Sequence, residues 1–352
     1  MGWLRLARYA RLSRLCLVSF RLVVLGVLGL ALSAPAPAWG QRPLRPEIES
    51  FIDEMALKHA FDRPSLRRIF RQAQPRPAVI RAIATPGTAR PWHEFRALYI
   101  EERRLAGGIE FWRQNAATLA RARREYGVPE EIIVATIGVE TVYGRNIGRF
   151  KVLEALSMLA FDYPPRAPLF RAELEEFLLL TRETGFDALA TRGSYAGAMG
   201  IPQFLPSSYR KYAVDFDGDG RPDLWGSAAD AIGSVANYYR AFGWHTGAAT
   251  VVETQAAGDE VEGVLAEGIK PHARIADLRR RGIVPLVPVD EEALAAVVRV
   301  EAESGPQYWL GLQNFYVITR YNRSVNYALV VHELARELRA RMRDAPLEPQ
   351  GQ

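Results

Sequence analysis

Between Glu131 and Glu140 the chain runs Ile132-Ile133-Val134-Ala135-Thr136-Ile137-Gly138-Val139, eight residues without a charge. Pro129 ahead of it suits the first turn of a helix, and Glu130 and Glu131 put negative charge at that helix's positive end. A helix apolar on every side must be buried nearly all round, so the rest of the chain has to be built about it. Ile133 and Ile137 share one row, and Glu140 falls three residues further along the same side. Gly144 is the predicted stop. A lone acid is thereby carried at the last turn of a buried helix. Burial and the negative helix end both disfavour its ionised form and raise its pKa. That is the requirement for a general acid working near neutral pH. The plainer alternative is a Glu that reaches solvent or pairs with Arg145.

At 352 residues the chain has room for two or three domains and a large core. Residues 1–40 carry Arg5, Arg8, Arg11, Arg14 and Arg21 and no acid, then an apolar run from Leu22 to Leu32, then Ala38-Trp39-Gly40. This is the layout of a secretory signal peptide cut before Gln41, and an uncleaved anchor is the alternative. Without those five arginines the 45 basic residues become 40, equal to the 40 acidic ones. The basic character belongs to the leader, and nucleic acid is not an expected partner. Cys16, the one cysteine, would leave with it. The remaining chain then has no thiol chemistry, disulfide or thiolate metal site, as suits an oxidising bacterial compartment.

From Pro46 to about Ile83 apolar residues recur at helical spacing (Phe51, Ile52, Met55; Leu66, Ile69, Phe70), and Thr85-Pro86-Gly87 marks a loop. Leu105 to Tyr126 reads as one long amphipathic helix. Further helices are predicted at Val152–Phe161, Phe170–Thr181, Ser227–Phe242 and Tyr327–Arg341. Residues 193–204 hold glycine and alanine where bulk is expected, so a ligand or another backbone can approach closely. Between about Thr246 and Tyr321 short strands are predicted at Thr250–Thr254, Val284–Pro288 and Ala295–Glu301, among Gly and Pro turns. Asn314–Thr319 is a further apolar stretch. The division expected is a leader (1–40), an N-terminal helical segment (41–105), a central core (106–245), a small β-rich part (246–313) and a C-terminal return (314–352).

Asp215-Phe216-Asp217-Gly218-Asp219-Gly220-Arg221-Pro222-Asp223 sets acids at loop positions one, three, five and nine, with glycine at six. Hard oxygens on alternate residues and a glycine at the sharp turn are what calcium requires. Arg221, at position seven, would give only its carbonyl. Position twelve is Gly226, which has no carboxylate; Asp230 could supply one if the loop is longer than usual. Calcium there is expected to be structural.

Five strings together resemble one family: IIVATIGVETVYGR (132–145), LEALSMLAFDYPPRA (153–167), GSYAGAMGIPQFLPSSYRKYAVDFDGDG (193–220), DAIGSVANYYRAFGW (230–244) and NFYVITRYNRSVNYA (314–328). They are similar to the B-type lytic murein transglycosylases of bacterial envelopes, glycoside hydrolase family 103. The resemblance implies a mainly α (α+β) fold: a lysozyme-like helical core, an additional helical subdomain and a small β-rich one. It implies an EF-hand-like calcium loop on Asp215, Asp217, Asp219, Arg221 and Asp230. Glu140 matches the catalytic acid, and Arg166, Ser194, Gln203, Tyr238, Tyr321, Asn322 and Tyr327 match sugar-contacting positions. Pro165 stands where a second arginine is expected and Leu169 where a tyrosine is usual.

Most glycosidases use two carboxylates. Asp162, Glu173, Glu175 and Glu176 lie near the motifs, and each reads better as a solvated or loop charge. A one-acid mechanism must find its second group in the substrate. The resemblance supplies it: the muramic acid N-acetyl group attacks the anomeric carbon and the C6 hydroxyl then displaces it, leaving a 1,6-anhydro end. The expected activity is cleavage of the β-1,4 bond between N-acetylmuramic acid and N-acetylglucosamine, with no catalytic cofactor. The expected protein is a periplasmic monomer acting on peptidoglycan glycan strands, with cell-wall synthesis or remodelling complexes as further partners. The alternatives are a non-catalytic peptidoglycan-binding module, which would lack the acid, and a lysozyme-type hydrolase, which would need a base to activate water.

Overall fold

The structure, a computed structural model, describes residues 43–84 and 90–344. The predicted leader and the Thr85-Pro86-Gly87 loop lie outside the described residues. Within the described residues, 44–84 and 90–344 form one compact unit, so the segments read from the sequence there are lobes of a single body.

Three helices open it, α1 (Pro46–His59), α2 (Arg63–Gln72) and α3 (Pro77–Ala84). Then follow α4 (Trp92–Tyr99), α5 (Glu102–Gln114), α6 (Ala116–Tyr126) and α7 (Glu130–Thr141). A two-stranded ribbon of β1 (Phe150–Lys151) and β2 (Arg192–Gly193) brackets α8 (Val152–Asp162), a 3-10 turn (Pro164–Arg166) and α9 (Ala167–Thr184). Helices α10 (Pro206–Tyr212) and α11 (Ala228–Ala241) flank the acidic loop. The β-rich part holds β3 (Val251–Ala256), α12 (Val261–Ala266), β4 (Ala273–Arg274), α13 (Ile275–Arg280), β5 (Ile283–Pro285), β6 (Leu294–Ala302) and β7 (Gly305–Gly311). The chain closes with α14 (Gln313–Tyr321) and α15 (Val325–Asp344).

The predicted helix from Leu105 to Tyr126 is interrupted. Asn115 leaves helical geometry and its amide donates to the Phe111 carbonyl at 2.8 Å, a local bond that competes with the ladder. The Asn314–Thr319 stretch is helical, as part of α14. Strands β4 and β7 went unanticipated; β7 is the return limb of a hairpin with β6, in register Val298↔Trp309 and Val297↔Leu310.

The five strands lie in the order β4-β6-β7-β3-β5, antiparallel throughout. Their alternation explains why the sheet stays attached. Val251, Val298, Val300 and Trp309 face the main helical core, while Val252, Val297 and Leu310 join Val264 of α12 and Leu278 of α13 in a small second core. At the centre of the main core lies α7, with Ile132 to Val139 all buried, packed among α5, α6, α11 and α15. A helix lined with aliphatic side chains on every side has no other stable place in a water-soluble fold.

Candidate active site

Helix α7 stops three residues short of the predicted Gly144. Val142 caps it in the left-handed region at φ 53°, and Tyr143 follows at φ 61°. Two such residues in succession, one of them β-branched, are uncommon and must be enforced by their surroundings. The enforcement comes from Tyr143. Its ring stacks on Phe111 at 5.6 Å and fills a slot floored by Gly108 of α5 and Gly138 of α7. A Cβ at Gly108 would meet the Tyr143 hydroxyl at 2.5 Å, and one at Gly138 at 2.6 Å. On the other side Thr141 Oγ1 donates to the Ile201 carbonyl at 2.8 Å, tying the helix end to the small-residue segment. Arg104, buried on α5, donates to the Gly138 carbonyl at 2.6 Å and lies over the Tyr99 ring at 4.7 Å. These contacts fix the last turn, and with it Glu140.

Glu140 keeps a partial opening to solvent. The Tyr327 hydroxyl donates to its Oε1 at 2.5 Å. Burial raises its pKa to about 7, against the smaller opposing pull of the Tyr327 bond. Arg145 does not neutralise it; that guanidinium reaches Glu110 at 3.4 Å. Five tyrosines (Tyr99, Tyr238, Tyr239, Tyr321 and Tyr327) stand close enough for the Glu140 charge to help raise their own pKa values, after burial as the first cause. All five therefore stay protonated at neutral pH. Among the described residues no second carboxylate contributes to the shift of Glu140.

The four neighbouring acids are engaged elsewhere. Asp162 pairs with Arg45 at 2.6 Å, and Glu175 with His59 at 2.7 Å. Glu176 pairs with Arg210. Glu173 accepts from the Ser207 backbone and hydroxyl at 2.9 and 2.7 Å, capping α10.

The expected sugar-contacting residues divide into two groups. Tyr327, Tyr321 and Tyr238 join the ring about Glu140, with Tyr321 stacked on Tyr327 at 6.4 Å and tilted against Tyr238 at 4.8 Å. Their hydroxyls are spent on protein: Tyr321 donates to the Pro202 carbonyl at 2.5 Å and Tyr238 to the Arg320 carbonyl at 2.6 Å. Ring surface, not hydroxyl, is what the partly exposed Tyr321 has to offer a ligand, while Tyr238 and Tyr327 are buried. Gln203 sits at φ 53° with its amide nitrogen on the Ile147 and Gly200 carbonyls at 3.1 and 2.9 Å. The Ser194 oxygen accepts from the Ala198 N–H at 3.1 Å and keeps its own proton free. A Cβ on Gly200 would strike the Leu224 carbonyl at 2.5 Å, which accounts for glycine in this stretch. Arg166 and Asn322 are exposed and lie outside this hydrogen-bonded ring; Arg166 stacks over Phe170 at 5.1 Å. Leu169 is 40% exposed, so the residue in the usual tyrosine position presents an aliphatic surface. Sequence reasoning missed Tyr99, Arg104 and Tyr239. The latter shares a 2.8 Å bond with Thr136, and only the invasion of polar Thr136 into the apolar run hinted at such a partner.

In the acidic loop, oxygens of Asp215, Asp217 and Asp230 lie within 4.8 Å of one another. Asp230 is fully buried, and its carboxylate accepts from the N–H groups of Phe216, Asp217 and Asp223 at 2.6, 3.2 and 2.7 Å. Three hard oxygens converging from both ends of one loop fit a calcium ion. Asp219 is not brought into that group; its carboxylate accepts from the Arg221 N–H at 3.1 Å.

The transglycosylase SLT domain family matches residues 43–336. The chain belongs to that family. It is 44% identical over 301 residues to the membrane-bound lytic murein transglycosylase B of Escherichia coli K12, covering 82% of this chain and 81% of that one. The crystal structure of the soluble lytic transglycosylase SltB1 from Pseudomonas aeruginosa superposes with a TM-score of 0.78 at 46% identity, covering 85% of this chain and all of that one. The Escherichia coli lytic transglycosylase Slt35 in complex with calcium superposes with a TM-score of 0.74 at 42% identity, over 84% of this chain and 93% of that one. The fold is accordingly the lysozyme-like one of these enzymes, mainly α with a small β-rich part. Among the described residues no helix is long and apolar enough to cross a membrane.

Proposed function

We propose that the chain is a lytic murein transglycosylase in which Glu140 carries out every proton transfer. The observation that carries this reading is a single carboxyl group, held by Tyr327 and protonatable at neutral pH, inside a ring of tyrosines with no second acid among the described residues. A protonated Glu140 gives its proton to the glucosamine O4 as the bond from muramic acid C1 breaks. The N-acetyl carbonyl oxygen of the same muramic acid closes on C1, taking the place that a second carboxylate fills in most glycosidases. Glu140, now ionised, takes the proton of the C6 hydroxyl. O6 displaces the acetamido oxygen at C1 and restores the N-acetyl group. The muramic acid leaves with a 1,6-anhydro bond, and no water is consumed. Ser194 and Gln203 stand on the segment bound to the end of α7, in reach to orient the N-acetyl group. Tyr321 supplies a flat surface for a sugar ring, with the buried Tyr238 and Tyr327 packed behind it, and Arg166 and Asn322 reach the strand from the rim.

Calcium is assigned to Asp215, Asp217 and Asp230, with Asp219 and the Arg221 carbonyl as further donors. Its chemistry there is neutralisation of carboxylates that join the two ends of the loop. The leader, the periplasmic location and the monomeric state belong to the same proposal. Mass spectrometry of fragments released from purified sacculi tests it: muropeptides one water lighter than hydrolysed ones are expected. Fragments ending in a reducing sugar would make water the acceptor and overturn the mechanism.

A further inference from the structure

The aromatic ring about Glu140 does not end at Tyr238. That side chain lies 4.6 Å from Phe242, at the end of α11, and 5.1 Å from Tyr212, at the end of α10. Tyr212 and Phe242 are themselves 5.5 Å apart. Beyond them the Arg320 guanidinium lies over Phe242 at 5.5 Å and over Tyr316 at 5.9 Å. Tyr238 is buried, whereas Tyr212, Phe242, Tyr316 and Arg320 each keep part of their surface in solvent. A continuous aromatic path therefore runs from the catalytic acid to a cation at the surface.

Arg320 is a poor fit to a purely structural role. Among the described residues no acid stands within 4.0 Å of it, while Arg45, Arg96 and Arg210 on the same protein each hold a carboxylate. Its place in the last turn of α14 suits any cation. Its position over two partly exposed rings adds to charge: it sets the guanidinium beside their faces and leaves its donors unspent. Its backbone is fixed as well, because its carbonyl accepts the Tyr238 hydroxyl at 2.6 Å. A flat, pre-oriented guanidinium beside aromatic faces is suited to a sugar that carries a carboxylate.

We infer that Tyr212, Phe242, Tyr316 and Arg320 form a distal subsite that holds a carboxylate-bearing sugar unit of the glycan strand, remote from the bond being broken. This rests on the murein reading of the Glu140 site. Two sources share the chemistry: the lactyl carboxylate of a peptide-free muramic acid, and a carboxylate of an attached peptide.

Binding by the slow variant Glu140→Gln, with and without Arg320→Gln, separates them. The probes are amidase-treated glycan strands, peptide-bearing strands, and N-acetylglucosamine hexamer, which has no carboxylate. Loss of Arg320 should weaken one or both carboxylate-bearing probes by about ten- to a hundredfold, the range of a charge-assisted hydrogen bond. Hexamer affinity should not change, which also shows that the variant is folded. A loss on amidase-treated strands only assigns the lactyl group, and a loss on peptide-bearing strands only assigns the peptide. Arg320→Lys keeps the charge and should recover only part of the affinity; full recovery would reduce the site to a bare charge and overturn the stacked-fork assignment. Equal losses on all three probes, or none on any, would also overturn the subsite. If Glu140→Gln binds no strand at all and the wild-type protein releases no anhydro ends, the murein reading itself fails instead.

Discussion

Glu140 and Asp230 are both carboxylates set on a helix end in the core of one fold, and they are put to opposite uses. Glu140 sits in the last turn of α7, at the negative end, with one tyrosine hydroxyl for company. Asp230 sits in the first turn of α11, at the positive end, and accepts three backbone N–H groups, while its own N–H donates to the capping Ser227 oxygen. Burial lifts the pKa of both, but at Asp230 the three backbone donors pull against it. An acid surrounded by donors serves as a fastening. An acid left nearly without them keeps a proton it can give away and take back. The donors at Asp230 come from the loop folded over it, so the loop rather than the helix beneath decides which of these the carboxylate becomes.

The contrast can be broken most sharply at Glu140. Glu140→Gln keeps the shape and has no proton to give, so turnover on sacculi should fall roughly 10²–10⁴-fold or more while glycan binding persists; near-normal turnover would end the assignment. The wild-type rate should decline as pH rises through about 7, where the acid loses its proton. Asp230→Ala should act on stability, leaving the Phe216, Asp217 and Asp223 N–H groups unpaired at a loss on the order of 3 kcal/mol in denaturant unfolding. Activity of the fraction that folds should survive.

Chelation probes the same loop from the metal side. It should remove about 2.7 kcal/mol when calcium stands at about a hundred times its dissociation constant. Unchanged melting, with no calcium found by elemental analysis, would leave the loop held by protein bonds alone. Glu140→Gln should also stabilise the fold. The native carboxyl holds its proton up to about 7 while an unfolded one releases it near 4.5, so this group's contribution to stability falls as pH rises across that window and stays lost above it. The variant should gain on the order of 1–3 kcal/mol at pH 8 and nothing below about pH 4.5. The smallest effect is reserved for Asp219→Ala, whose carboxylate lies outside the converging three: a loss below about 1 kcal/mol is expected. A loss as large as that from chelation would place Asp219 among the essential ligands.

The apolar run and its terminal acid were legible because burial on all sides leaves a mark on every residue of α7. The alternating acids of the loop were legible because metal spacing is a local pattern. The ring about Glu140 was legible only in part: the resemblance pointed to Tyr238, Tyr321 and Tyr327, whereas Tyr99 and Tyr239 lie on helices far apart in sequence and nothing local distinguishes them from core aromatics. Arg104 was hidden for the same reason: in the sequence it is one of many arginines, and only packing shows that it is buried on the Gly138 carbonyl. The break at Asn115 was lost because it depends on a single competing contact, and the early end of α7 because the slot for Tyr143 is assembled from two helices. Hairpin strand β7, which holds Gly and Pro, lacked the valine-rich run of β6.

The slot that receives Tyr143 bears on how such a centre could be inherited or rebuilt. The angle at which the acid leaves its helix is set by a keyed joint between two neighbouring helices, in which a ring on one side and two missing methyl groups on the other must be present together. None of these parts needs to meet the glycan. A survey of variants confined to the groove would overlook them, and Gly138→Ala would be taken for a harmless change on a helix. Moving the acid alone onto another scaffold would transfer its chemistry without its aim. The unit that can be transplanted is the pair of helices.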